Sequence, residues 1–74
     1  MHINERIKFI RNCKNLTQEE VAKQAKINIT QYRKYELGIN VPSVEKLKEI
    51  CKALQISADY ILGLPKGSWY PTIG

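Results

Sequence analysis

The sequence predicts an all-α domain of five short helices, and three observations carry that prediction. Apolar residues recur at helical spacing along the chain, and strand-like alternation is confined to short fragments. Helix start signals (Thr17, Asn28, Ser43, Ser57) and stop signals (Asn15, Gly38, Gly63, Pro65) interleave at short intervals. The length of 74 residues allows one small domain and no second one.

Ile3, Ile7 and Ile10, followed by Leu16, mark one face of a first helix over about residues 3–14. Asn15, second only to glycine at a left-handed helix end, closes it. Thr17-Gln-Glu-Glu20 reads as a capping box, in which the Thr17 hydroxyl accepts from the residue 20 amide and Glu20 reaches back. Val21, Ala22 and Ala25 then give a second helix a narrow face of small side chains, suited to close packing. Only Lys26 and Ile27 separate this helix from Asn28, the N-cap of a third helix running to Leu37 and stopped by Gly38. Gly38 to Pro42 reads as a loop. Ser43 caps a fourth helix with the strongest amphipathic stripe in the chain, Val44, Leu47, Ile50, Cys51 and Leu54. Ser57 caps a short fifth helix through Ile61 and Leu62, and residues 64–74 form a tail without period.

Composition narrows the function. Twelve Lys and Arg against seven Asp and Glu give a net charge of +5, and Arg6, Lys8, Arg11 and Lys14 concentrate it near the start. Such a balance points weakly toward nucleic acid. Cys13 and Cys51 lack CxxC spacing, and His2 has no partner at helical spacing, so neither a disulfide scaffold, a metal site nor a bound cofactor is expected. No stretch approaches the roughly 18 apolar residues of a membrane span, and no leader-like segment follows the first residue, so the expected compartment is the cytoplasm. A chain this short buries only about 60% of its unfolded surface, which leaves little room for a catalytic cleft. No paired carboxylates, glycine-rich phosphate loop or nucleophile–base set is evident, nor any small-molecule site. The expectation is a binding protein, not an enzyme.

Two helices joined through Ala25-Lys-Ile-Asn28 have too short a connection to lie antiparallel and must cross at a large angle. That is a helix-turn-helix arrangement, whose second helix enters the DNA major groove. Projected at 100° per residue, the third helix gathers Asn28, Tyr32, Tyr35 and Glu36 on one side. Thr30, Arg33, Lys34 and Leu37 fall on the other, flanked by Ile29 and Gln31. Thr, Arg and Lys together offer a methyl, a bidentate fork and a point charge, which suit a thymine methyl, a guanine edge and guanine or phosphate.

The segments Arg6-Ile-Lys-Phe-Ile-Arg11, Leu16-Thr-Gln-Glu-Glu-Val-Ala22, Ile27-Asn28, Tyr35-Glu-Leu-Gly38, Pro42-Ser43, Leu54 and Ser57-Ala-Asp-Tyr-Ile-Leu-Gly63 stand in a specific order and spacing. Together they resemble the XRE-type family of phage repressor and Cro proteins over about residues 6–63. The resemblance implies a compact five-helix repressor-like domain over residues 1–63, its motif at about 18–37, with residues 64–74 as a tail. It also implies a transcriptional regulator, most often a repressor, that binds a pseudo-palindromic operator in double-stranded DNA as a homodimer.

Carried onto matching positions, the family pattern implies that Ile29, Thr30, Arg33 and Lys34 read bases. Gln18 would hold a phosphate at the start of the second helix, where free amides and the helix dipole favour an anion. Gln31 and Asn40 are further phosphate candidates. Arg11 and Glu36 match a pair that forms a salt bridge between the first helix and the end of the third.

The chain also departs from the pattern. Lys26 stands at the turn position where relatives favour glycine, at a cost of about 1 kcal/mol if the turn is left-handed. Ile29 is apolar where many relatives carry Gln or Ser, and suits either a thymine methyl or packing against the turn. Tyr32 and Tyr35 are expected to pack inside rather than stack on bases.

One short recognition helix reads about four or five base pairs, so specificity implies two copies on half-sites about one helical turn apart. Tyr60, Ile61, Leu64, Trp69 and Tyr70 are the candidates for that self-contact. The alternative is a protein-interaction module of the same fold, an antitoxin or antirepressor-like regulator in which DNA contact is secondary.

Overall fold

The computed structural model describes residues 2–62. They form five helices: α1 (Ile3–Cys13), α2 (Gln18–Ala25), α3 (Ile29–Leu37), α4 (Val44–Leu54) and α5 (Ala58–Leu62). Leu64, Trp69 and Tyr70 lie outside the described residues.

Local chemistry accounts for the starts of α2 to α5. The Thr17 Oγ1 accepts from the Glu20 amide at 3.0 Å while the Glu20 carboxylate accepts from the Thr17 amide at 2.8 Å. The Thr17 amide and then its hydroxyl hold the Glu20 carboxyl below the usual glutamate range. Asn28 Oδ1 accepts from the Thr30 amide at 2.8 Å, and Ser43 Oγ from the Lys46 amide at 3.2 Å. Ser57 Oγ accepts from the Tyr60 amide at 3.4 Å.

The ends of α1 to α4 share one device. Asn15, Lys26, Gly38 and Gln55 all adopt positive φ, at 56°, 59°, 79° and 57°. The next amide reaches back five residues each time: Leu16 to the Arg11 carbonyl, Ile27 to Ala22, Ile39 to Lys34 and Ile56 to Cys51. This is the Schellman closure, in which an apolar residue follows the left-handed one; after α3 that residue, Ile39, stays 64% exposed, and at the other three ends it settles inward. Ile27 is buried, and Leu16 and Ile56 are partly buried against the core. Only Gly38 adopts this conformation without steric cost; a Cβ there would also meet the Asn4 side chain at 3.1 Å. Lys26 and Gln55 bear a strain of about 1 kcal/mol each. Asn15 and Gly38 are legible in the sequence as left-handed closures, whereas Gln55 is not.

The core joins all five helices through Ile7 and Ile10, Val21, Ala22 and Ala25, Tyr32 and Tyr35, Leu47, Ile50, Cys51, Ala53 and Leu54, and Ile61. The small residues of α2 are buried, and α2 packs most extensively against α4 while also contacting α3. Two expectations need correcting. Val44 opens the α4 stripe but is 72% exposed, because the first turn of that helix projects past the edge of the core. Ala53 is buried in the same helix. Ile61 is fully buried, since α5 lies against both α1 and α4 and spends this side chain on closing the domain. It is therefore unavailable to a second copy, whereas Tyr60 beside it is half exposed.

Candidate nucleic-acid interface

The α2–α3 pair is joined by Lys26, Ile27 and Asn28 alone. Left-handed Lys26 turns the chain, buried Ile27 pins the corner, and Asn28 starts the next helix. Lys26 thus keeps the geometry that glycine would take, and the strain is borne rather than relieved by reshaping the turn.

Helix α3 is divided lengthwise. Tyr32, Tyr35 and Glu36 are buried, whereas Thr30, Arg33, Lys34 and Leu37 are exposed. Ile29 is partly buried and packed against the core, so packing occupies at least part of its surface. The phosphate candidates Gln31 and Asn40 are both partly buried and meet each other, Asn40 Nδ2 donating to Gln31 Oε1 at 3.4 Å.

Glu36 is the anchor of the inner side. Arg11 grips its carboxylate with two nitrogens, Nε at 2.6 Å and Nη2 at 3.1 Å. The Tyr32 hydroxyl donates to the same group at 2.5 Å and Gln18 Nε2 at 3.1 Å. Arg11 Nη1 donates to the Leu16 carbonyl at 2.8 Å, which ties the end of the α1–α2 connection into the same cluster. The two charged side chains are 11% and 2% exposed. Burial alone would push the Glu36 carboxyl up, but the donors from Arg11, Tyr32 and Gln18 together hold it below the usual range. The Glu36 contact raises the Arg11 guanidinium, and burial followed by the carboxylate pushes the Tyr32 hydroxyl up. No buried side-chain polar atom among the described residues lacks a partner.

This cluster places Gln18 on the boundary between inside and outside. Its amide nitrogen faces Glu36, and its oxygen accepts from Arg33 Nε at 3.3 Å. Arg33 Nη2 meets the Glu19 carboxylate at 3.4 Å. Sequence reasoning missed Glu19 entirely and treated Tyr32 as packing alone. The signal for Tyr32 was its four-residue spacing to Glu36, which puts the hydroxyl over the carboxylate on one helix face. No comparable signal marked Glu19, because its partner lies on another helix.

Among the described residues no cluster of His, Cys, Asp or Glu could hold a metal ion, and no helix is long and apolar enough to cross a membrane. Cys13 is exposed and Cys51 buried, both as free thiols.

A short helix docked across another by a three-residue turn, its inner face locked and its outer row cationic, defines a helix-turn-helix protein. The comparisons place the chain accordingly: the family described as a helix-turn-helix domain matches residues 4–66, and the chain belongs to it. It is similar to the cryptic phage CTXphi transcriptional repressor RstR of Vibrio cholerae, 41% identical over 63 residues, covering 85% of this chain and 56% of that protein. It is also similar to the transcriptional activator BcrR of Enterococcus faecalis, 39% identical over 62 residues, 84% of this chain and 30% of the relative. The chain thus spans about half or less of the length of these relatives. Among solved structures, the P22 c2 repressor in complex with a synthetic operator superposes with a TM-score of 0.78 at 29% identity, covering 92% of this chain and 98% of that one. Among the described residues, the five-helix architecture matches that of the P22 c2 repressor chain.

Proposed function

We propose that this chain is a sequence-specific transcriptional regulator that binds double-stranded DNA by seating α3 in the major groove. The observation that carries this reading is the division of α3: the Glu36 cluster fixes its inner side while Thr30, Arg33 and Lys34 stand outward. A rigid helix presenting a methyl, a guanidinium fork and an ammonium is suited to reading base edges. The names of the relatives, one a repressor and one an activator, and the operator-bound P22 c2 repressor support the same class.

In this reading Arg33 and Lys34 contact bases, Thr30 supplies a methyl or a hydroxyl, and the exposed part of Ile29 meets a thymine methyl. Gln18, Gln31 and Asn40 meet phosphates; Gln18 does so with the second hydrogen of its amide nitrogen and keeps its bonds to Glu36 and Arg33, whereas Gln31 and Asn40 part from each other. The protein acts in the cytoplasm as a repressor and pairs on a pseudo-palindromic operator, with Tyr60 and the 64–74 tail contributing to the self-contact. It is a binding protein with no catalytic role.

The test is selection of bound sequences from a random DNA pool by the wild type and by Arg33→Ala, with affinity measured across a salt series. The expected wild-type result is an enriched pseudo-palindrome and a log–log salt slope near −0.9 for each phosphate contacted. Arg33→Ala should relax one base position at a cost of about 1–3 kcal/mol. A pool without enrichment, or binding indifferent to salt, refutes the reading.

A further inference from the structure

The contacts of Arg33 with α2 carry a consequence for specificity. An arginine has two edges able to make paired hydrogen bonds: the side edge, formed by Nε and one terminal nitrogen, and the end edge, formed by the two terminal nitrogens. In this protein the side edge is committed, Nε to Gln18 and Nη2 to Glu19. The end edge, with Nη1, is left to an external acceptor pair such as O6 and N7 of guanine. Gln18 is in turn held by buried Glu36, so the first acceptor is fixed to the core and does not follow Arg33 about.

Glu19 adds a cost as well as an orientation. Its side chain is 67% exposed in the first turn of α2, beside Gln18, the end proposed to meet phosphate. While it holds Arg33 side-on, Glu19 also keeps that cation from swinging onto a phosphate of DNA that lacks the base, and its own charge stands close to the backbone of either duplex. With Arg33 bonded end-on to guanine and side-on to Glu19, the two charges offset each other within the complex.

We infer that Glu19 is a specificity-determining residue: it positions Arg33 for end-on recognition of guanine and penalises binding to DNA that lacks that base. This inference rests on the DNA-binding reading above. The bland role for Glu19, an acidic residue complementing the α2 dipole, would show in stability and leave discrimination untouched.

The experiment compares wild type, Glu19→Gln, Arg33→Ala and the double variant by fluorescence anisotropy. The probes are the sequence selected by the wild type and a scrambled duplex of equal length, at one fixed salt concentration. Glu19→Gln should tighten binding to the scrambled duplex about fivefold, the scale of one screened unit charge close to phosphate, and to the selected site by less. The ratio of the two affinities then falls about threefold, and the enriched base opposite Arg33 is relaxed in a repeated selection. In the Arg33→Ala background the same substitution should tighten both duplexes equally and leave the ratio where Arg33→Ala put it. An unchanged ratio in Glu19→Gln overturns the inference while leaving the DNA-binding reading in place, as does an equal fall in both backgrounds. A wild type that does not distinguish the two duplexes overturns both.

Discussion

Replacing Arg11 by Ala removes three hydrogen bonds, two to Glu36 and one to the Leu16 carbonyl. The carboxylate left behind is 2% exposed and keeps only the Tyr32 hydroxyl and the Gln18 amide. Stranding a buried charge in this way costs on the order of 3 kcal/mol. A domain of this length has a total stability of about 4–11 kcal/mol, so the loss is a large fraction of it. Thermal and urea unfolding followed by circular dichroism should show the melting temperature falling by about 12–24 °C. The pH dependence supplies a second check. Glu36 is held below its ordinary value of 4.5, so its stabilising contribution is complete above that pH and lost as pH falls through the lower folded-state value. In Arg11→Ala burial prevails and the carboxyl rises, so the variant loses less on acidification and the gap to the wild type narrows as pH falls below 4.5. A loss below about 0.5 kcal/mol at neutral pH, or a gap that stays constant into acid, would refute the idea that Glu36 depends on Arg11.

Other expectations follow from the turns and from α5. Lys26→Gly and Gln55→Gly should each raise stability by about 0.5–1 kcal/mol by relieving the left-handed backbone, and urea midpoints that fail to rise would show that neither site is strained. Ile61→Ala should cost about 2–5 kcal/mol as a cavity in the core. Tyr60→Ala should spare the fold yet weaken self-association in sedimentation at high micromolar concentration; an unaltered association constant would remove Tyr60 from the contact.

Much of this fold is legible in the sequence because its punctuation is local. Thr17 with Glu20, Asn28, Ser43 and Ser57 announce helix starts through bonds spanning only two or three residues. The inner and outer sides of α3 follow equally directly from 100° steps, since Tyr32, Tyr35 and Glu36 share one side. What depends on a second element is harder to read. Val44 and Ile61 each fit an apolar stripe, and only the position of the core edge leaves the first in solvent and takes the second inside. The double engagement of Gln18 and the pairing of Glu19 with Arg33 arise from how α2 crosses α3, a relation that no periodicity within either helix contains. Arg11 and Glu36 lie 25 residues apart, and neither residue by itself signals the partner; the family resemblance supplies that pairing.

The lengthwise division of α3 separates two kinds of constraint on one short segment. Positions 32, 35 and 36 answer to the architecture, and exchanging them threatens the whole protein. Positions 30 and 34 answer to nothing in the interior, and position 33 only to the rim of α2. The outer row can therefore be rewritten residue by residue on an unaltered chassis, so a change in what the helix meets need not pass through a poorly folded ancestor.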